Sequence, residues 1–451
     1  MSKGRLVIIG GDAAGMSAAA KVRRLDSDRE IVVFERGEFT SYSACGMPYW
    51  IAGLFDGPES LIARSPQTFR DKYSIDVRTR HEVVAIDPDS HHVEVVDRTS
   101  GSRTLEAYDQ LLIATGARPF CPQVPGSDAR GILGLSHLAT GIAVEQFLRE
   151  RKPQRAVVVG GGYIGLEMAE ALLQRGLAVA LVQRSSEVMS TLDRDMGALV
   201  SEALREAGVE LLLNEQLQEF KVRNGTVCGV VTDLRTLEAD MVILGMGTRP
   251  RSELAEAAGL RLGDRSSIEV DKAQQTSVDG IWAAGDCASV YHLLHQRNLH
   301  IALGTVANKS GTVAGSNLAG VPAEFPGVVG TAVSKICTME VARTGLQEKE
   351  ALDLGLNFTT TTIESRTRSG YYPGSGRITV KLLGEKGTGR LLGGQIVGLE
   401  GSAKRIDVLA TALHAGMTVE QLVDLDLAYA PPFSPVWDPV QTAARALLKE
   451  L

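Results

Sequence analysis

The chain has 451 residues, with 47 Lys and Arg against 54 Asp and Glu and 44% hydrophobic residues. That length allows about three domains with sizeable cores, and a net charge of −7 offers no basic surface for nucleic acid or anionic lipid. Five scattered cysteines without a Cys-x-x-Cys pair or zinc-type spacing exclude a disulfide scaffold and a structural metal site, and place reduced thiols in a cytoplasm; no apolar run approaches the ~18 residues of a membrane span.

The first predicted element is a buried strand, Leu6–Ile9, running straight into Gly10-Gly-Asp-Ala-Ala-Gly15. An alanine-rich helix follows to Leu25, then a strand Ile31–Phe34 that ends at Glu35. The acid lies about 20 residues beyond the last glycine, the spacing at which the dinucleotide fingerprint places a ribose-binding carboxylate. Gly10, Ala14 and Gly15 let the backbone approach a pyrophosphate, which the helix N-terminus receives. One departure weakens the motif: the middle glycine of G-x-G-x-x-G is Asp12. An ordinary strand–turn–helix is the competing reading.

Cys45 comes next, in Ser41-Tyr-Ser-Ala-Cys-Gly-Met-Pro-Tyr49. A two-cysteine disulfide reductase needs a second cysteine about five positions away, but Thr40 and Trp50 stand there. A reactive Cys45 therefore works alone, cycling between thiolate and a mixed disulfide, persulfide or sulfenate. It opens an expected helix whose dipole favours the thiolate. The bland alternative is a buried apolar thiol, the reading kept for Cys121, Cys228, Cys287 and Cys337.

A strand Leu111–Ala114 precedes Thr115-Gly116, and a strand Ala156–Val159 leads into Gly160-Gly-Gly162-Tyr163-Ile164-Gly165. Helix Leu166–Arg175 and strand Ala178–Val182 complete this second unit, whose glycine motif is intact. Where an NAD enzyme carries an acid, this chain has Gln183 and Arg184. An acid there repels a 2′-phosphate, whereas Gln with Arg accepts one, so NADPH is expected to be tolerated or favoured alongside NADH; alternatively Arg184 is a solvated loop charge. Two dinucleotide units with one cysteine between them imply a flavin beside the thiol and a nicotinamide that reduces it. Residues 327–451 read as strands with turn glycines, Ile378–Leu383 and Leu391–Val397, then a helix over 402–415.

Further segments carry a family resemblance. Ala114-Thr-Gly-Ala-Arg-Pro119, Leu244-Gly-Met-Gly247-Thr-Arg-Pro250 and Gly280-Ile-Trp-Ala-Ala-Gly-Asp286 are similar to the ATGxxP turn, the return segment and the second flavin motif of the pyridine nucleotide–disulfide oxidoreductases. The single cysteine resembles the branch holding NADH oxidases, NADH peroxidases and coenzyme A-disulfide reductases. Ala13 stands where the oxidases and peroxidases carry a His, and Cys45-Gly-Met-Pro-Tyr49 looks like the coenzyme A-disulfide reductase pattern.

The resemblance implies an α/β fold of two Rossmann-like domains and a C-terminal α+β dimerisation domain. Its implied boundaries are 1–149 and 251–326 for the FAD-binding domain, 150–250 for the NAD(P)H-binding domain and 327–451 for the dimerisation domain. FAD would be held by Gly10, Ala14, Gly15, Glu35, Arg36, Ala114, Thr115, Gly116, Asp286 and Ala307, with the segment Leu303–Lys309 starting a helix at the flavin's pyrimidine edge. NADPH or NADH would be held by Gly160, Gly162, Tyr163, Ile164, Gly165, Glu167, Gln183, Arg184 and Gly247. In relatives the tyrosine matching Tyr163 covers the flavin until the nicotinamide displaces it. Lys21, Arg24 and Ser41 would meet coenzyme A, although a basic cluster late in a helix is usually dipole complement. Tyr371 and Tyr429 map onto tyrosines that reach the partner subunit's cysteine, which implies a homodimer with composite active sites. Cys45, Tyr371 and Tyr429 would then be the catalytic set for NAD(P)H-dependent reduction of coenzyme A disulfide or a related disulfide or persulfide. The competing functions are an NAD(P)H oxidase reducing oxygen and a redox-sensing flavoprotein with little turnover.

Overall fold

The computed structural model describes residues 4–451. Strand Arg5–Ile9 sits third in a five-stranded sheet ordered Ile281–Ala283, Gln110–Ile113, Arg5–Ile9, Glu30–Glu35 and Asp76–Thr79, every pair parallel. Its aliphatic run is buried on both faces, Leu6 and Ile8 against helical residues such as Ala18 and Leu318, Val7 and Ile9 against Val83, Val93 and Val95. Helix Ala13–Leu25 lies against helix Gly304–Leu318. A Cβ on Gly311 would stand 2.3 Å from the Ala14 carbonyl oxygen, so only glycine allows this approach.

The second sheet repeats the plan. Its order is Glu210–Leu213, Ala178–Gln183, Arg155–Val159, Met241–Leu244 and Ile132–Gly134, again parallel throughout. In both units a three-stranded antiparallel meander is inserted before the strand on the far side of the central one: His81–Asp87, His92–Asp97 and Arg103–Ala107 in the first, Leu217–Arg223, Thr226–Thr232 and Thr236–Glu238 in the second. Strands Ala117–Pro119 and Thr248–Pro250 pair antiparallel where the chain leaves and re-enters the first unit. The edge strand Ile132–Gly134 thus comes from ahead of residue 150.

The third unit is an antiparallel sheet ordered Ala332–Ile336, Met339–Gly345, Leu391–Gly398, Arg377–Glu385 and Phe358–Arg366. Helices Ile406–His414 and Pro439–Leu447 contribute to its core with Leu409, Leu413, Val440 and Leu447. This unit is bound to the second by buried polar groups. Lys381, only 4% exposed, places Nζ 3.2 Å from Asp193, 2.8 Å from Asp195 and 2.7 Å from Glu348. Gln395 donates to the Asp193 carboxylate at 2.7 Å and accepts the Asp193 amide at 2.8 Å. The hairpin Ala332–Gly345 also touches helix Tyr163–Gln174: Ser334 donates to Glu167 at 2.7 Å and the Cys337 amide to Glu170 at 2.8 Å. The described residues include no helix long and apolar enough to cross a membrane.

Candidate functional site

The two glycine turns open on one cavity of about 3000 Å³, several times the roughly 300–1,000 Å³ of a single small-molecule site. In the first turn Gly10 has φ +110°, and a Cβ there would lie 2.1 Å from the Ala114 carbonyl oxygen. Glu35, at the end of the neighbouring strand, accepts the amides of Gly11 at 2.8 Å and Gly37 at 2.7 Å. The second turn matches it: Gly160 has φ +104°, and Gln183 accepts the Gly161 amide at 3.0 Å. Gly15 and Gly165 do not line the cavity; each lets a helix close on its turn, since added Cβ atoms would stand 2.0 Å from the Gly10 and Gly160 carbonyl oxygens.

Asp286 lies at the cavity wall with Oδ1 buried and without a hydrogen-bond partner. Burial pushes its carboxyl up to about 6. A buried orphan oxygen has to find a donor, and a polyol hydroxyl such as the FAD ribityl chain supplies one. Arg36, Arg118 and Arg251 face the same space. Burial, then Arg36 and Arg118, bring Arg251 down to about 10, against the opposing effect of Glu253. Cradle, orphan carboxylate and the three arginines together fit FAD, and Gly10, Ala14, Glu35, Arg36, Ala114, Thr115, Gly116, Asp286 and Ala307 all line the cavity. Gly160, Gly162, Tyr163, Ile164, Glu167, Gln183, Arg184 and Gly247 line it as well.

Cys45 is exposed to this cavity. Its loop is pinned at both ends. The Ser41 amide donates to Gly11 at 3.1 Å, the Ser43 amide donates to Leu61 at 2.8 Å, and Met47, Trp50 and Ile51 are buried behind. The expected helix is a 3₁₀ turn, Ala44–Gly46, followed by a helix of only 5 residues, Met47–Ile51. The thiolate stabilisation expected from a helix dipole is not provided by so short a helix. Burial first, then Glu167 and Asp286, push the thiol above its ordinary value. A short helix carries little dipole, and the charged side chains that bear on Cys45 most are acidic. Glu167 is itself pushed up, chiefly by burial. Tyr163 accepts a long bond from Thr191 at 3.5 Å.

Other expected residues stay apart from Cys45 within the chain. Tyr371 is 78% exposed and Tyr429 47% exposed on the third unit, and neither lines the cavity. Phe433, Val436 and Trp437 share their exposure. Lys21 and Arg24, on the first helix, also lie outside the cavity. Ser41 bonds through its backbone, accepting the Ala63 amide at 2.8 Å, and does not line the cavity. Sequence reasoning did not single out Arg118, an unspecified position inside the ATGxxP turn, or Arg251, the residue just after the return segment.

Residues 4–311 match the family model for pyridine nucleotide-disulphide oxidoreductases, and residues 331–439 match that family's dimerisation domain. An NAD(P)H coenzyme A polysulfide/persulfide reductase of Pyrococcus horikoshii is 39% identical over 449 residues, 99% of this chain and 98% of the relative. A coenzyme A disulfide reductase of Staphylococcus haemolyticus is 31% identical over 432 residues, 95% of this chain and 96% of the relative. The solved structure of an NAD-dependent persulfide reductase from A. fulgidus superposes with a TM-score of 0.96 at 40% identity, covering 99% of this chain and 83% of that one. Twin dinucleotide turns, a lone cavity thiol and these matches lead to one assignment: the chain belongs to the pyridine nucleotide-disulphide oxidoreductase family.

Proposed function

We propose that this protein uses NAD(P)H to reduce coenzyme A disulfide, or a related low-molecular-weight disulfide or persulfide, through a mixed disulfide on Cys45. The carrying observation is one exposed thiol on the wall of a cavity that both glycine turns share. The other thiols are placed differently: Cys287 is buried, its Sγ within 3.5 Å of the Ile113 and Ala284 carbonyl oxygens, and Cys337 sits at a hairpin turn. No second cysteine lines the cavity among the described residues.

FAD, when bound, supplies the passage of two electrons from NAD(P)H to sulfur. The protein's part is sulfur exchange. The Cys45 thiolate attacks one sulfur of the substrate disulfide, the S–S bond breaks, and one coenzyme A leaves as a thiolate that takes up a proton. Cys45 is left in a mixed disulfide with the other half. Two electrons break that bond, release the second thiol and restore Cys45. Tyr371 and Tyr429, exposed on the dimerisation domain, reach across a homodimer to the partner's Cys45 and donate to the departing thiolate. Lys21, Arg24 and Ser41 belong to the path by which the coenzyme A tail approaches. Five free cysteines suit a reducing, cytoplasmic setting.

Cys45→Ser tests this. A serine hydroxyl is neither a nucleophile nor a leaving group of suitable pKa near neutrality. The variant should keep its flavin and its NAD(P)H-driven flavin reduction but lose thiol release from coenzyme A disulfide. Thiol release at the wild-type rate would overturn the proposal. Oxygen uptake by the same variant reads out the oxidase alternative, which does not need the thiol.

A further inference from the structure

Asp12 is the one residue that the dinucleotide motif leaves unexplained. It stands in the middle-glycine position at the entry to helix Ala13–Leu25, yet its side chain does not cap that helix. Its Oδ1 instead accepts the amide of Tyr42, three residues before Cys45, at 3.2 Å. Alongside, the Ser41 amide donates to the Gly11 carbonyl at 3.1 Å. Two bonds therefore join the first glycine turn to the Cys45 loop, and one of them ends on an ionisable oxygen.

We infer that Asp12 is a proton-linked positioning residue, which takes up a proton when the FAD pyrophosphate settles on the Gly10–Gly15 turn and keeps the Cys45 loop bonded to that turn throughout. The residue in the middle-glycine position lies where the motif brings the backbone against the pyrophosphate. A carboxylate there faces a second negative charge, and like charges at close range disfavour the ionised acid. The groups bearing on Asp12 are Glu35 from the adjacent strand, Asp286, whose neighbour Gly285 packs against Ala14, and the amides of Tyr42 and Ala13; Asp12 in turn bears on the Tyr42 phenol and the Cys45 thiol. Burial foremost, with Glu35 and Asp286 adding to it against the two amides, already pushes the acid up to about 6. Protonation weakens the bond to the loop without removing it. The neutral acid keeps an oxygen for the Tyr42 amide, and its new O–H can donate to a phosphate oxygen that the carboxylate would repel. The proton comes from solvent, and no other bond changes.

The sign follows. The acid's pKa is higher with the pyrophosphate present than without it. FAD retention is therefore strongest below the ligand-free value, and weakens as pH rises toward the ligand-bound value by up to about tenfold per unit. Asp286 acts in the opposite sense, because hydroxyl donors favour its ionised form. Comparison with a variant that removes only the Asp12 titration isolates the effect.

This inference rests on the FAD reading of the first turn. The test is FAD release on dilution of the holoprotein, followed by flavin fluorescence between pH 6 and 8, for wild type and Asp12→Asn. Asparagine keeps the acceptor for Tyr42 and cannot ionise. The ratio of wild-type to variant dissociation constants should rise about tenfold over that range; a ratio that stays constant overturns the proton uptake. Protein isolated without flavin and unable to bind it would instead remove the FAD reading itself. Asp12→Gly restores the motif's own residue and deletes the tether. Iodoacetamide should then alkylate Cys45 at a rate several-fold different from wild type in the holoprotein, while Asp12→Asn matches wild type at pH 6. Equal rates in all three overturn the positioning role.

Discussion

Gln183 accepts the amide hydrogen of Gly161 at 3.0 Å. It therefore does for the second glycine turn what Glu35 does for the first, but without a charge. The neighbouring Arg184 is exposed on the cavity wall, free to meet a 2′-phosphate. Gln183→Glu keeps the acceptor and adds a negative charge at the adenosine end. It should move the kcat/KM ratio toward NADH by about 1–2 kcal/mol, the size of one charge-assisted contact. Steady-state kinetics with both nucleotides decide this. A strong wild-type preference for NADH would mean that Arg184 takes no part.

Lys381 makes a second prediction, on stability. Asp193 beside it is buried, whereas Asp195 and Glu348 are 49% and 41% exposed and can relax into water. Lys381→Met strands the buried Asp193 without a cation. Breaking a buried pair from one side costs about 3–5 kcal/mol, and the relaxation of the two exposed acids places the expected loss at the lower end, about 3 kcal/mol. Denaturant unfolding of the second and third units should show it, and an unchanged midpoint would show that Gln395 alone holds Asp193.

Much of this was legible in the sequence because the phosphate turns are written in local grammar. A strand, a glycine cluster and a helix must follow one another within a few residues, and Gly10 and Gly160 need their left-handed backbone whatever surrounds them. The return motifs near Ala114 and Asp286 are similarly compact, and both reach the cavity. What the sequence could not show are relations between distant segments. The Ser334–Glu167 bond spans two units, and nothing near Ser334 marks it. The Lys381 cluster draws on four separate segments when Gln395 is counted. The electrostatics of Cys45 were misread for the same reason. Local sequence shows a helix start, whereas the two acids that act on the thiol most lie more than a hundred residues away, at Glu167 and Asp286.

Those acids make a third prediction. With burial foremost, then Glu167 and Asp286, raising the thiol, thiolate is scarce at neutral pH in the flavin-free protein. Glu167→Gln removes the larger of the two charge effects, so the thiol pKa should fall and the alkylation profile should move to lower pH. The rate with iodoacetamide near pH 7 should rise several-fold. An unshifted profile would mean that Glu167 is already neutral there, which its own upward shift from burial makes a meaningful outcome.

The last prediction concerns the partner subunit. Tyr429 is 47% exposed on the third unit, with Phe433, Val436 and Trp437 exposed near it in sequence, and it does not line the cavity that holds Cys45. In the composite-site homodimer proposed above, each Tyr429 would meet the other chain's Cys45, and every site would draw on both chains. Cys45→Ser and Tyr429→Phe homodimers should then each be impaired for thiol release. In a heterodimer of the two, one site has lost both groups and the other keeps both. Mixed, refolded and verified heterodimers should therefore recover about half of the wild-type activity per dimer, more than either parent homodimer. If Tyr429 acted within its own chain, each site of the heterodimer would carry one defect and no activity would return. A fully active Tyr429→Phe homodimer would leave proton donation to Tyr371 or to solvent, and the same experiment with Tyr371→Phe tells these apart.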